Sequence, residues 1–173
     1  MMPVKSLRSS WIQRSFGHIH LQRVPRKKNE GQGGEALGRS RGGFTTKLHA
    51  AVSDTFLPLR FILTAGARHD VTQAPALIAD YTCDAVIADA GYDSDALRTV
   101  IVDQGSVPVI RPRKNRLEDR PYDEDLYKLR NVIERFFHRL KQYRRVATRY
   151  DKYARRYLGF VYFAAILITA KKM

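Results

Sequence analysis

The chain has 173 residues, with 31 Lys and Arg against 17 Asp and Glu, a net charge of +14 and a pI near 10.2. That length holds one ordinary core, and the positive excess concentrates polyanions, of which nucleic acid is the commonest in a cell; a structural basic protein of the ribosomal kind meets the same description. A single cysteine, Cys83, excludes an internal disulfide and a cysteine zinc cluster, as in a reducing cytosol, and the apolar run Leu158 to Ala170 is short of the roughly 20 residues of a membrane span, so it reads as a buried core helix.

Residues 1–28 show no sustained period and little apolar content, and the glycine-rich stretch NEGQGGEALGRSRGG after them reads as an exposed loop. Structure is expected from Phe44 onward. FTTKLHAAV and LPLRFILTAG read as two strands joined by the turn SDTF. Asp70 is placed as the N-cap of a helix over DVTQAPALIADY. CDAVIAD reads as a buried strand ending in Asp89, SDALRTVIVDQG as a helix capped by Ser94 and stopped by Gly105, and VPVIRP as a further strand. The basic loop RPRKNR leads into a long helix from about Asp123 to about Arg145, and a last helix spans about Lys152 to Ala170. Paired strands followed by strands alternating with helices predict an α/β fold with a mixed sheet.

Charge is unevenly spread. Residues 1–42 carry nine basic and two acidic side chains, residues 43–110 four and eight, and residues 111–157 sixteen and seven. An acidic centre between basic arms suits carboxylates that hold a cation while Lys and Arg hold a phosphate strand, although some of these acids must be ordinary helix caps.

Two carboxylates stand out. Asp89 ends an apolar strand before the turn AGYDS, and open α/β sheets hold ligands at such strand ends; a plain turn residue is the commoner use of an Asp there. In the long helix, Tyr127, Arg130 and Lys141 fall within about 40° of Glu134, while Leu126, Leu129, Ile133, Phe137 and Leu140 form a packing stripe roughly 100° away. Glu134 then stands at the edge of the buried face, as a member of a surface ion-pair helix or as a partner of Asp89. Mg²⁺ takes oxygen ligands, usually one or two carboxylates, and two such ions about 4 Å apart drive in-line phosphoryl displacement.

The spacing Tyr127, Arg130, Glu134, Lys141 resembles the Y-(2)-R-(3)-E-(6)-K signature of bacterial insertion-sequence transposases of the DDE type. The blocks ALGRSRGGFTTKLH, LPLRFILTAGARHD, VIADAGYDSDAL and RPYDEDLYKLRNVIERFFHRLKQYRRVATRYDK are similar to those of the insertion-sequence-five family, over about residues 29–170. The resemblance implies a ribonuclease-H-like mixed sheet flanked by helices. It also implies Mg²⁺- or Mn²⁺-dependent cleavage and joining of DNA at element ends, and a triad of two Asp and one Glu in which Asp89 matches the second Asp and Glu134 the Glu. Tyr127, Arg130 and Lys141, with Arg39, Arg41 and Lys47, are the expected DNA contacts; terminal inverted repeats and target DNA are the partners, in a homo-oligomer free in the cytoplasm at the nucleoid, with no membrane attachment.

The first Asp of that triad has no counterpart. Its segment is occupied by SSWIQRSFGHIH, and Glu30 is the first acidic residue of the chain. Trp is always TGG and Ile always begins AT, so Trp11-Ile12 conceals GAT, an Asp codon, one nucleotide back; permitted codons then read Asp-Ser-Thr-Ile-Val. Lys27-Lys28 can be encoded by an unbroken run of A, on which ribosomes slip. Residues 1–28 are therefore expected to be an out-of-frame or disordered leader, and residues 29–173 the C-terminal part of a catalytic domain lacking its first, central strand. Without the first Asp the chain is expected to be inactive alone. A non-catalytic DNA-binding regulator of transposition is the alternative, and a nuclease of similar fold a third reading.

Other residues offer less. His49, His69 and His138 match no compact zinc motif. Tyr143, Tyr150, Tyr153 and Tyr157 interleave with basic residues and could stack bases, although packing of the last helices is the commoner use.

Overall fold

A strand needs backbone partners on both edges unless it lies at the rim, and here the partners fix the order. The computed structural model describes residues 13–23, 35–40, 43–66, 68–118 and 120–171. Seven strands form one mixed sheet: β1 (Gln13–Arg23), β2 (Gly38–Ser40), β3 (Gly43–Ser53), β4 (Pro58–Ala65), β5 (Ala85–Ala88), β6 (Val107–Ile110) and β7 (Thr148–Arg149). β1 lies at the centre, antiparallel to β3 on one edge and parallel to β5 and β7 on the other, with β6 parallel to β5 and both β2 and β4 on the far edge of β3. The mixed α/β expectation holds, and the antiparallel β4-β3-β1 run continuing into parallel β5 and β6 agrees with a ribonuclease-H-like sheet.

One expectation is corrected here. The central strand that the sequence was expected to lack is present, and Gln13–Arg23, inside the residues read as a leader, supplies it. Its side-chain period is weak, but ladder bonds are backbone bonds, and the gap between β3 and β5 rewards any extended segment that satisfies both edges.

The helices cover both faces. α1 (Ala74–Ile78) and α2 (Asp95–Asp103) lie over one, where Ala51, Val86, Ala88 and Ile110 meet Leu77, Leu97 and Ile101. α3 (Glu124–Lys128), α4 (Asn131–Lys141), α5 (Arg144–Ala147) and α6 (Ala154–Ala170) complete the chain. α4 to α6 cover the opposite face, packing Val132, Ile133, Phe136, Leu140, Val146, Tyr157 and Val161 on Leu48, Ala50 and Val52. Leu48 and Ala50 on one side and Ala51 on the other is the period-2 alternation of β3, read directly.

Local chemistry explains the ends. In the β3–β4 turn Ser53 Oγ accepts from Leu57 N at 3.1 Å, and Phe56 takes φ +74°, a costly conformation for a non-glycine residue. Burial of its ring, edge-on to Phe136 at 6.1 Å, offsets that cost. Gly105, at φ +78°, turns the chain after α2 as expected. The expected long helix is divided: Arg130 N bonds Tyr127 O and Val132 N bonds Leu129 O in tighter three-residue turns between α3 and α4. α3 docks Leu126 and Tyr127 on Ala85, Ile87 and Val109, whereas α4 docks elsewhere on the sheet, so one straight helix cannot serve both surfaces. Leu129 consequently leaves the packing stripe and is 37% exposed, while Val132 and Phe136 join it. α6 is not buried all round, since Phe163 and Ile166 are exposed; among the described residues no helix is long and apolar enough to cross a membrane.

Candidate active site

Asp89 leaves the carboxyl end of β5 in extended conformation and begins a short turn over Ala90–Tyr92, where its Oδ1 accepts from Gly91 N at 3.0 Å. Gly91 is needed for closeness: a Cβ there would lie 3.1 Å from Asp89 Oδ1 and 3.9 Å from Asp70 Oδ2. Two carboxylates therefore flank one point in space. Asp70 is not the N-cap expected of it. It begins a 3-10 turn, and its Oδ1 accepts from Lys47 Nζ at 2.8 Å.

Lys47 is corrected with it. Its ammonium also donates to Arg68 O at 2.7 Å, so it is turned into the protein and bonded there, which removes it from the expected phosphate contacts. The alternation of β3 carried the signal, because Lys47 shares the inward register of His49 and Ala51. Beneath lies a buried polar chain in which His49 bonds Thr64 Oγ1 at 2.9 Å and Tyr92 Oη at 3.4 Å. Burial, with Asp70 and Asp89 adding negative potential, pushes the Tyr92 hydroxyl far above its ordinary pKa, so it stays protonated.

The signature residues meet across the α3–α4 break. The Arg130 guanidinium sits over the Tyr127 ring at 5.6 Å and donates to Glu134 Oε1 at 2.5 Å. Tyr127 in turn packs on the end of β5 and β6. Its hydroxyl pKa is raised by burial, lowered by Arg130, raised by Asp89 and lowered by Arg111, with burial prevailing; all three charges thus reach one phenol. Glu134 is joined to Tyr127 through Arg130, and Asp89 lies at the end of β5, on which Tyr127 packs. Lys141, two turns along α4, is exposed. Arg39 pairs with Phe44 in β2, and Arg41 lies outside the described residues.

A knot of charge secures the adjoining loop. Asp93, 1% exposed at its side chain, accepts from Arg98 Nη2 at 3.1 Å and Arg116 Nη1 at 3.0 Å through Oδ1, and from Arg113 N at 3.1 Å through Oδ2. Burial would raise its pKa, but the Arg113 amide and the Arg116 and Arg98 guanidiniums outweigh it and hold the carboxyl below the ordinary value. Arg113 also grips the Ala90 and Gly91 carbonyls at 3.1 and 3.0 Å. Sequence reasoning missed this knot, since its partners lie up to 23 residues apart.

The remaining candidates separate. Tyr157 is buried and donates to Val146 O at 2.7 Å, and Tyr143 packs against the same core, whereas Tyr150 and Tyr153 are exposed, the latter under Arg156 and Lys152. Among the described residues no three His, Cys, Asp or Glu side chains converge as metal ligands. β1, QRSFGHIHLQR, contains neither Asp nor Glu, and its pairing of Phe16 with Ala88 brings Gly17 level with Asp89, where a third acid would be wanted. The donor set does not fit a two-ion site.

Comparison with known proteins bears on the family of the chain. Residues 18–168 match the family described as Transposase DDE domain. A transposase for insertion sequence element IS6501 of Brucella ovis is 41% identical over 126 residues, covering 72% of this chain and 97% of that protein. One for insertion sequence element IS402 of Burkholderia cepacia is 31% identical over 147 residues, covering 75% of this chain and 64% of that protein. The catalytic core domain of BIV integrase superimposes with a TM-score of 0.47 at 15% identity, over 92% of this chain and 82% of that one, a likeness too slight to add to the topology. On the family match and the Brucella relative, this chain belongs to the DDE transposase family.

Proposed function

We propose that this insertion-sequence DDE transposase chain holds DNA strands over Asp89 and Glu134 and does not cut them as it stands. The observation that carries the reading is a central strand with no carboxylate beside Asp89. Strand cleavage and transfer, the activity the family implies, is two-ion chemistry that needs three acids around the reacting phosphate; Asp89 and Glu134 are the two this chain would contribute, and no cleavage step follows from two. Their oxygen donors suit one Mg²⁺ or Mn²⁺. Arg130 and Lys141 are assigned to the phosphates on either side, Tyr127 to the strand against Arg130, and Arg39 and Arg41 to the DNA backbone. Element ends with terminal inverted repeats are the partners, target DNA joins them in a homo-oligomeric complex, and the bacterial cytoplasm is the setting.

Band shift on terminal inverted repeats, run beside a divalent-metal cleavage assay, tests this. Binding without cutting is expected, and robust metal-dependent cutting by the isolated chain overturns it. The same missing acid favours a second reading, a regulator that occupies element ends; such a regulator depresses transposition by an intact enzyme when the two are mixed. A frameshifted fusion supplying Asp-Ser-Thr-Ile-Val is the third element of the proposal, and the coding nucleotides at Trp11 and Lys27 decide it.

A further inference from the structure

β5 and β6 end together. Ala88 pairs with Ile110, so Asp89 and Arg111 leave the carboxyl edge of the sheet side by side. The chain from Arg111 to Arg116 is then bound down hard. Arg113 holds the Ala90 and Gly91 carbonyls, its amide and Arg116 bind Asp93, Arg116 also bonds Asp95, and Arg120 pairs with Glu118. Asp93, Asp95 and Glu118 are thereby each bonded by an arginine. Arg111 and Lys114 are left over: both are exposed, and neither forms a hydrogen bond or ion pair with a described residue.

We propose that Arg111 and Lys114 form a phosphodiester-binding element that grips the DNA strand running past Asp89, an assignment that rests on the DNA-holding function above. An exposed cation is ordinarily just solvated. Two things set this pair apart. The loop is tied down by several bonds, those to Asp93 partly buried, before any ligand arrives, so binding a strand costs little ordering. Among the described residues neither cation is paired with an acid, so both charges remain available beside the strand end that carries Asp89. Arg111 stands next to Asp89 across the β5–β6 pairing, since Ala88 is level with Ile110. A phosphate oxygen accepting from Arg111 and a neighbouring phosphate accepting from Lys114 would hold successive nucleotides in register.

Salt dependence of binding to a short duplex, followed by fluorescence anisotropy with the full chain, provides the test. Each lost phosphate contact lowers the slope of log K against log salt by about one, so Arg111→Ala with Lys114→Ala is expected to remove about two and to blunt the affinity loss between about 50 and about 200 mM salt roughly tenfold. The swap Arg111→Lys with Lys114→Arg is expected to keep the wild-type slope, and both variants the wild-type melting temperature. An unchanged slope in the double alanine variant overturns this element while leaving the DNA-holding function standing. A wild-type chain without salt-dependent binding overturns both. A slope lost only together with the fold, seen as a lowered melting temperature in the alanine and the swap variants alike, also counts against it.

Discussion

The Lys47 ammonium and the Asp70 carboxylate meet at 2.8 Å with side chains only 10% and 15% exposed, and this pair joins β3 to the turn that precedes α1. It is a structural tie beside Asp89 rather than a substrate contact. Lys47→Met leaves Asp70 without its bonded cation, and breaking a largely buried pair costs about 3 kcal/mol. A fall in melting temperature of about 6–12 °C is expected for a chain of this size. Adding Asp70→Asn should recover part of it, because the carboxylate deprived of Lys47 is then neutral; thermal unfolding of the two variants checks the order.

Glu134 behaves differently from its neighbour in sequence. Its side chain is 56% exposed and its bond to Arg130 is an i,i+4 pair, so Glu134→Gln should change stability by less than about 0.5 kcal/mol. Ile133→Ala, at a residue 1% exposed, should cost about 2–5 kcal/mol. Chemical unfolding measures both. If Glu134 holds a cation, Glu134→Gln also weakens Mn²⁺ binding at an unchanged melting temperature, which a purely structural role does not predict.

The Asp93 knot makes acid stability depend on one carboxyl. Its folded pKa lies below that of the unfolded chain, so its contribution is present above the unfolded value, near 3.9, and is lost as pH falls through the folded one. Asp93→Asn should be less stable at neutral pH and should show a flatter decline below about pH 4. Urea unfolding across that range reads the difference directly.

At the alkaline end the tyrosines reverse the sign. Burial raises the Tyr92 and Tyr157 hydroxyls, with Asp70 and Asp89 assisting at the first, and Asp151 at the second against an opposing Arg149. Folded protein keeps both protons where the unfolded chain gives them up, so stability is full below about pH 10 and falls above it. Tyr92→Phe with Tyr157→Phe should flatten that alkaline loss, as followed by the pH dependence of the unfolding midpoint.

Much of this was legible before the structure. The β3–β4 hairpin, the strand ending in Asp89, the turn at Gly105 and the start of α3 at Asp123 come from local chemistry that the sequence writes out, and Asp123 indeed accepts from Asp125 N and Leu126 N. What escaped was decided between distant segments. The division of the long helix at Leu129–Arg130 contains no Gly or Pro and follows from two docking surfaces. β1 escaped because a central strand is recruited through its backbone, and a weak side-chain period did not reveal it. Asp89 was singled out by its place at a strand end, and the contacts among Tyr127, Arg130 and Glu134 follow from their helical spacing. Lys47 was misassigned because exposure was inferred from charge alone, although its register on β3 pointed inward.

Arg149 shows how the chain must be assembled. Its guanidinium, 1% exposed, donates to Thr46 Oγ1 on β3 and to the Asp151 and Lys152 carbonyls, while Glu35 accepts from the first amide of α6 and β7 pairs with the end of β1. Strands β1 and β3 are thus held by segments about a hundred residues further along the chain. Long-range closure of this kind delays folding until those later segments have been made. Nascent chains halted before α6 should remain exposed to proteases and chaperones, and only the emergence of that helix would release them from such surveillance.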